Sequence, residues 1–301
     1  MIEFFNEDCF ERFKKLEDNS IDAAVTDPPY GIAFSGKTSN TNWDNLSDED
    51  YYKLLCTFFS ECQRVLKTGG TLWMCFGRTK IQTVFQALND FDKDKRVEND
   101  RLQVNLENWL TYARQKGRSS SKKFKSQAEE IFHITKGEKW TWNPIEYLRE
   151  VVAPYTDEKG KPRGWFLDQN TGMRMRWTGL GNVLAFSAPS FNSLFEKQIH
   201  STQKPFLLFT ELIMLSTKPG ETVFDPFAGS GVSGIAADCC GRNWIGCELD
   251  KEMFAKANNW IHNYDKTLAE GYYKSRVRGM TKEKTKDEVK PKKFTLNKEK
   301  K

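Results

Sequence analysis

Residues 222–248 constrain the fold more than any other stretch of the chain. Thr222-Val223-Phe224 reads as a short apolar strand, Asp225-Pro226-Phe227-Ala228-Gly229-Ser230-Gly231 as a glycine turn, and Val232 to Cys240 as a helix. Gly241 caps that helix, and Asn243 to Cys247 reads as a second strand ending at Glu248. A strand, a helix and a strand in this order belong to a mostly parallel sheet with helices packed on its faces. The glycines let the backbone approach a ligand closely, and an acid about twenty residues onward can hold ribose hydroxyls. The turn lacks the third glycine of the dinucleotide fingerprint, which points to a nucleoside rather than a pyrophosphate. A dinucleotide-dependent dehydrogenase is the competing reading of this unit taken alone.

A second constrained stretch lies about two hundred residues earlier. The apolar run Ile21-Asp22-Ala23-Ala24-Val25 reads as a buried strand that Thr26-Asp27-Pro28-Pro29-Tyr30 stops abruptly. Proline fixes its own φ and pushes the preceding residue towards extended geometry. An acid, two rigid carbonyls and an aromatic ring are thereby held at a strand's carboxyl end, where open α/β sheets place their ligands. A carboxylate and a peptide carbonyl can accept both hydrogens of an exocyclic amine while a ring stacks on the attached base. A stiff turn with Tyr30 packed beneath it accounts for the same residues without any function.

Together the two motifs resemble those of the amino-group DNA methyltransferases. With the catalytic motif first and the glycine motif late, the chain is similar to the β group of that family over most of residues 1–263. The resemblance implies an α/β, doubly wound, mostly parallel sheet in permuted order with an inserted target-recognition region. It also implies S-adenosylmethionine as cofactor and a base in DNA as substrate. Asp27, Pro28, Pro29 and Tyr30 match the catalytic motif. Asp225, Phe227, Ala228, Gly229, Ser230, Gly231 and Glu248 match the cofactor-binding unit. Thr202 and Lys204, within His200-Ser201-Thr202-Gln203-Lys204-Pro205, match a segment that helps hold the cofactor's methionine end, and Asp27 would also meet the cofactor's ammonium. Asp8 takes the place of an acid beside the adenine ring, and a helix N-cap is its other reading.

The acid at position 27 favours adenine N6 as the methylated amine, since relatives acting on cytosine N4 more often carry Ser there. Cytosine N4 is the first alternative. A non-catalytic nucleic-acid-binding protein on the same fold is a second, disfavoured because both motifs are intact.

Residues 1–139 are expected to form the catalytic half of the methyltransferase domain, with 200–268 as the cofactor-binding half. Residues 140–199 differ in character. Trp140, Trp142, Tyr155, Trp165, Phe166 and Trp177 are interleaved with Lys159, Lys161, Arg163, Arg174 and Arg176, and helical periodicity is lost. This is where β-group enzymes carry target recognition. Basic groups there can grip phosphate or guanine edges, and aromatics can stack on unpaired bases. An irregular subdomain with the tryptophans as its core is the plainer alternative. Lys37, in a polar loop after Tyr30, and Arg118, Lys122 and Lys123, in a basic loop over residues 114–125, are further candidate DNA contacts. Solvated loops explain them equally well.

The net charge of +5 is uneven: residues 274–301 hold twelve Lys or Arg against four acids, leaving the remainder slightly acidic. A basic, disordered tail over residues 269–301 suits a polyanion or merely solubilises the chain. Seven cysteines without CxxC spacing and only three histidines give no expectation of a metal site. Reduced thiols and the absence of a basic, apolar leader at Met1-Ile2-Glu3-Phe4-Phe5 fit a bacterial or phage protein in a host cytoplasm. The longest apolar stretch, Pro205 to Leu215, carries Glu211 and is too short to span a membrane. A homodimer and a cognate restriction endonuclease are partners the resemblance allows.

Overall fold

The computed structural model describes residues 1–31, 46–94, 104–114, 124, 127–150, 156–161, 164–167, 172–187, 189, 196 and 198–274. Lys37, Arg118, Lys122, Lys123, Arg163 and the tail beyond Lys274 lie outside the described residues. By compactness the chain divides into one unit containing residues 1–144 with 179–276 and another containing 145–178.

The larger unit is built on an eight-stranded sheet. Its strands in chain order are β1 (Ile2–Phe5), β2 (Ile21–Thr26), β3 (Leu66–Phe76), β4 (Val104–Arg114) and β5 (Ala128–Lys136), then β9 (Val183–Phe186), β10 (Thr222–Asp225) and β11 (Asn243–Cys247). The spatial order is β1-β11-β10-β2-β3-β5-β4-β9. The first five strands in that order run parallel, β5 is antiparallel to both β3 and β4, and β9 is parallel to β4. The mostly parallel, doubly wound sheet expected from the sequence is therefore present, and β10, which leads into the late glycine turn, lies directly beside β2, which leads into Asp27. The smaller unit holds β6 (Glu146–Glu150), β7 (Phe166–Leu167) and β8 (Arg174–Gly179), ordered β6-β8-β7.

Helices cover both faces of the large sheet. On one face lie α1 (Cys9–Phe13), α2 (Asp48–Val65) and α3 (Ile81–Asp94). They bury Phe13, Leu55, Phe58, Val84 and Leu88 against Ala24, Leu72, Met74 and Phe224. Alternate residues of the same strands point to the other face, because side chains alternate along a strand. There α4 (Phe206–Ser216) and α5 (Val232–Cys239) pack, with Trp73 donating to Ser216 Oγ at 3.0 Å and Trp244 to Ser233 Oγ at 3.2 Å. Every residue of α4 is buried, Thr210, Glu211 and Ser216 included, which fits its predominantly apolar composition. α2 starts where Ser47 Oγ accepts from the Asp50 amide at 3.1 Å, with three acids in its first turn.

Two local expectations differ from the structure. The apolar run Thr71 to Phe76 reads as a strand preceded by a Gly69-Gly70 stop. The strand instead begins at Leu66, because a register shift between Ile21 and Ala23 of β2 accommodates the extra residues of the Gly69-Gly70 segment. The apolar residues of 251–268 keep a helical period that predicts one helix, followed by a disordered tail from residue 269. There are instead two helices, α6 (Lys251–Asn263) and α7 (Lys266–Lys274), the second running into the expected tail with Ala269 and Tyr273 buried. Asp265 starts the second by accepting from the Leu268 amide at 2.9 Å. Tyr264 is fixed in the break by Asp238, so a side-chain anchor and a cap override the helical periodicity there.

The join between the two halves of the sheet is polar and buried. Asp225, 1% exposed at the end of β10, accepts from Thr26 Oγ1 of β2 at 2.7 Å, from Ser233 Oγ of α5 at 2.5 Å and from the Phe227 amide at 3.1 Å. Burial raises its carboxyl to about 6 against the pull of those three donors. An acid whose folded pKa lies above its unfolded one stabilises the fold fully at low pH and loses that contribution as pH rises through the folded value. Between pH 4 and 7 the native protein should therefore lose on the order of 2–3 kcal/mol relative to Asp225→Asn, which cannot titrate. Urea unfolding of both proteins across that range checks this, and parallel stability curves would reject it.

Candidate active site

The topology gathers the chemistry-bearing residues at one edge. The carboxyl ends of β1, β11, β10, β2 and β3 all lie there, carrying Asp8, Glu248, the 225–231 turn, Asp27 to Tyr30, and Gly77. Because β5 runs the other way, its first residues reach the same edge, as the pairing of Phe76 with Glu130 shows. β4, parallel to β3, ends nearby at Arg114.

Asp27 is the centre of this edge. Its Oδ1 accepts from the Tyr30 hydroxyl at 2.8 Å, and its Oδ2 is paired with the Lys204 ammonium. Lys204 lies immediately before Pro205, which begins α4, and its ammonium is also 3.0 Å from Glu129 Oε2. The Tyr30 hydroxyl lies 3.2 Å from that same Glu129 oxygen, and Arg114 pairs with the other at 2.9 Å. Lys204 sits over the Tyr30 ring at 5.3 Å. Gly77 leaves room for that ring, since a Cβ there would come within 2.7 Å of Tyr30 Cδ2.

Burial would lower the Lys204 pKa, but Asp27 and Glu129 together hold it above its ordinary value, so the group is a fixed cation. The two carboxylates move apart. Burial and the neighbouring Glu129 raise Asp27 despite Lys204, whereas Lys204 and Arg114 overcome burial and lower Glu129. Two acids sharing one ammonium are thereby made chemically unequal.

The glycine unit forms the second part of the site. Gly229 and Gly231 adopt φ +51° and +73°, the left-handed region that glycine enters without a steric penalty. The Ala228 amide donates to the Cys247 carbonyl at 2.9 Å and the Gly231 amide to the Ala228 carbonyl at 2.8 Å, folding the turn onto β11. Glu248 then accepts from the Gly229 amide at 3.0 Å on one oxygen and from the Asp250 amide at 2.8 Å on the other. Burial raises its carboxyl. Space over the turn is open: a Cβ on Gly229 would meet only the Phe227 carbonyl, at 4.0 Å. A nucleoside fits such a turn, with an acid whose remaining lone pairs can take hydroxyls.

The other expected residues are placed as follows. Asp8 caps α1 by accepting from the Phe10 amide at 2.8 Å. Phe227 packs its ring 5.8 Å from Phe58, while Ala228 and Ser230 are buried. Thr202 is exposed and bonds His200 Nδ1 at 3.0 Å. Asp225 directs its carboxylate into protein donors, which gives it a positioning role. In the smaller unit Arg174 lies 5.7 Å over the Trp165 ring, the Lys161 amide donates to Asp157 at 2.8 Å, and Arg176 is exposed.

Several residues here were not among the expected site residues: Glu129, Arg114, Thr26, Ser233 and Glu196. Arg114, read as the start of the basic loop over 114–125, is instead the last residue of β4. Glu196 is 6% exposed and accepts from the Phe206 amide at 2.5 Å, serving the amino end of α4 where Pro205 cannot cap it. Burial pushes its carboxyl up to about 7. The one sequence signal available for Glu129 was an acid pair, Glu129-Glu130, opening an otherwise apolar strand.

Comparison with known proteins finds relatives both in sequence and in fold. The chain is 30% identical over 250 residues to the type II methyltransferase M.HpaI of Haemophilus parainfluenzae, covering 83% of this chain and 70% of that one. It is 28% identical over 267 residues to the type II methyltransferase M1.MboII of Moraxella bovis, covering 83% and 92%. With M.HinfI of Haemophilus influenzae the identity is 27% over 266 residues, and the match spans 64% of that protein. Among solved structures, the fold superposes on M1.HpyAVI in complex with SAM (TM-score 0.55, 20% identity, 87% of this chain and 100% of that one). It also superposes on the cytosine-N4-specific PvuII DNA methyltransferase (TM-score 0.61, 17% identity, 91% of each). A model of the N6/N4 DNA methylase family matches residues 21–259, and the chain therefore belongs to the N6/N4 DNA methylases.

Proposed function

We propose that the chain transfers a methyl group from S-adenosylmethionine to the exocyclic N6 amine of adenine in DNA. The observation that carries this reading is Asp27 at the carboxyl edge, on the strand next to the one that ends in the glycine turn. Gly229, Ser230 and Gly231 would cradle the cofactor, Glu248 would take its ribose hydroxyls, and Asp8 and Phe227 would flank its adenine. Lys204 and Thr202 would lie towards its methionine end. S-adenosylmethionine supplies an electrophilic methyl group on a sulfonium.

The protein's task is to make a poor nucleophile react. An exocyclic amine delocalises its lone pair into the base ring. Asp27, with the Pro28 carbonyl, would accept the amine's two hydrogens, favouring a pyramidal nitrogen whose lone pair points outward. Tyr30 would stack on the extruded base, offsetting part of the few kcal/mol that flipping costs. Its hydroxyl is already fixed by Asp27 and Glu129, so the ring is oriented before the base arrives. Direct in-line transfer then depends mainly on positioning. When nitrogen gains the methyl group, the Asp27 carboxylate is the nearest acceptor for the proton it must lose. Arg174, Arg176 and Lys161 are proposed contacts to DNA, and the acid rather than Ser at position 27 supports adenine over cytosine.

Asp27→Ala should lower methyl incorporation by more than a hundredfold with the fold retained, because Lys204 keeps Glu129 as partner. Turnover within about tenfold of native, roughly 1.4 kcal/mol, would remove Asp27 from the reaction. Glu248→Ala should weaken cofactor binding about 10- to 100-fold, the size expected for charge-assisted hydrogen bonds to ribose. Calorimetry decides this, and an unchanged dissociation constant would leave Glu248 only its bonds to the Gly229 and Asp250 amides. Modification-sensitive sequencing of DNA from cells expressing the chain should show N6-methyladenine at one recurrent site. N4-methylcytosine there would replace the adenine reading, and unmodified DNA with active cofactor binding would favour a non-catalytic DNA-binding role.

A further inference from the structure

Both oxygens of Asp27 are already engaged, one by the Tyr30 hydroxyl and one by the Lys204 ammonium. If Asp27 accepts a hydrogen of the target amine, as the reading above requires, the amine competes with these two donors for its lone pairs and is best served when one of them lets go. Lys204 is 4% exposed, and a buried ammonium left without a partner is strongly disfavoured. One group in the site is placed to prevent that. Glu129 Oε2 lies 3.0 Å from Lys204 Nζ and 3.2 Å from the Tyr30 hydroxyl, so it touches the same two donors that Asp27 holds.

We propose that Glu129 is a positioning residue for methyl transfer, the alternative acceptor onto which Lys204 and Tyr30 pass when Asp27 engages the target amine. The hand-over needs little movement, because each donor already lies within reach of both carboxylates. It keeps the buried ammonium paired, and it moves that ammonium off the oxygen that the amine requires. Arg114, 2.9 Å from Glu129 Oε1, keeps Glu129 ionised throughout. The antiparallel course of β5 is what brings the first residues of that strand to this edge. With Glu129 absent, Lys204 would keep Asp27 as its one ion-pair partner among the described residues, and an amine taking its place there would break a buried ion pair.

The proposal rests on Asp27 being the amine acceptor, and the test separates the two ideas. Single-turnover transfer from labelled S-adenosylmethionine to unmethylated DNA is measured for the full chain and for Glu129→Gln, Glu129→Asp and Asp27→Ala. Dissociation constants for cofactor and DNA are measured alongside. Glu129→Gln should transfer at least about tenfold more slowly while both dissociation constants stay within about threefold, the signature of an interaction needed only on the way to the transition state. Glu129→Asp, which keeps the charge, should recover part of the rate, and it carries the test if the Gln variant does not fold. A Gln variant that transfers within about threefold of native, or an Asp variant no better than Gln, overturns the proposal. So does a loss that lies wholly in binding. Inert Asp27→Ala beside a native-rate Gln variant would sink only the role of Glu129, whereas active Asp27→Ala would sink the reading of Asp27 and this proposal with it.

Discussion

A buried hydrogen bond from Thr26 to Asp225 joins parts of the chain 199 residues apart, and the rest of the site is arranged around it. It lies where β2 and β10 run side by side and parallel, at the end of each strand. Asp225 also holds Ser233 on α5 and the Phe227 amide, so one carboxylate fixes β2, the start of the glycine turn and the helix behind it. A buried acid with three donors is stable only while all three are in place. The same group that locks the geometry is therefore sensitive to displacement of any of its neighbours.

On that frame, electrostatics differentiate the residues at the edge. Lys204 is held between two carboxylates in a corner from which water is largely excluded, and Arg114 tips the balance towards ionised Glu129. The fold achieves this by bringing four elements together: the turn after β2, the end of β4, the start of β5 and the segment before α4. The mixed strand directions matter here. In an all-parallel sheet, the first residues of β5 would lie at the opposite edge, and Asp27 would face a lone cation.

Much of this was legible in the chain itself. The 222–248 unit required a parallel sheet with helices on its faces, and the Asp-Pro-Pro-Tyr stop marked a strand's carboxyl end. Both strands and both turns stand where periodicity and turn chemistry put them. The break at Tyr264 was not legible, because the period of the apolar residues runs on through it and only the bond to Asp238, far away in sequence, interrupts the helix. Strand β9 was hidden for a related reason, since four residues among Gly, Pro and Asn carry little pattern until β4 provides a partner.

The sequence by itself determined the residue types that could do the chemistry and the local geometry that presents them: a rigid acid-bearing turn and a glycine turn followed by an acid. Those are short-range properties, set by proline's fixed φ, glycine's access to positive φ and strand alternation. Only the tertiary structure decided which charges meet. Glu129 reads as an ordinary strand acid until β5 is known to run antiparallel. Lys204, matched to a segment at a cofactor's methionine end, is found between Asp27 and Glu129 only once the segment before α4 is placed. Asp225, which the motif presents as a ligand, becomes a buried anchor once Thr26 and Ser233 face it. Pairings across 99 to 199 residues depend on sheet order and strand direction, which are settled by how the whole chain buries its apolar faces and not by any local run of residues.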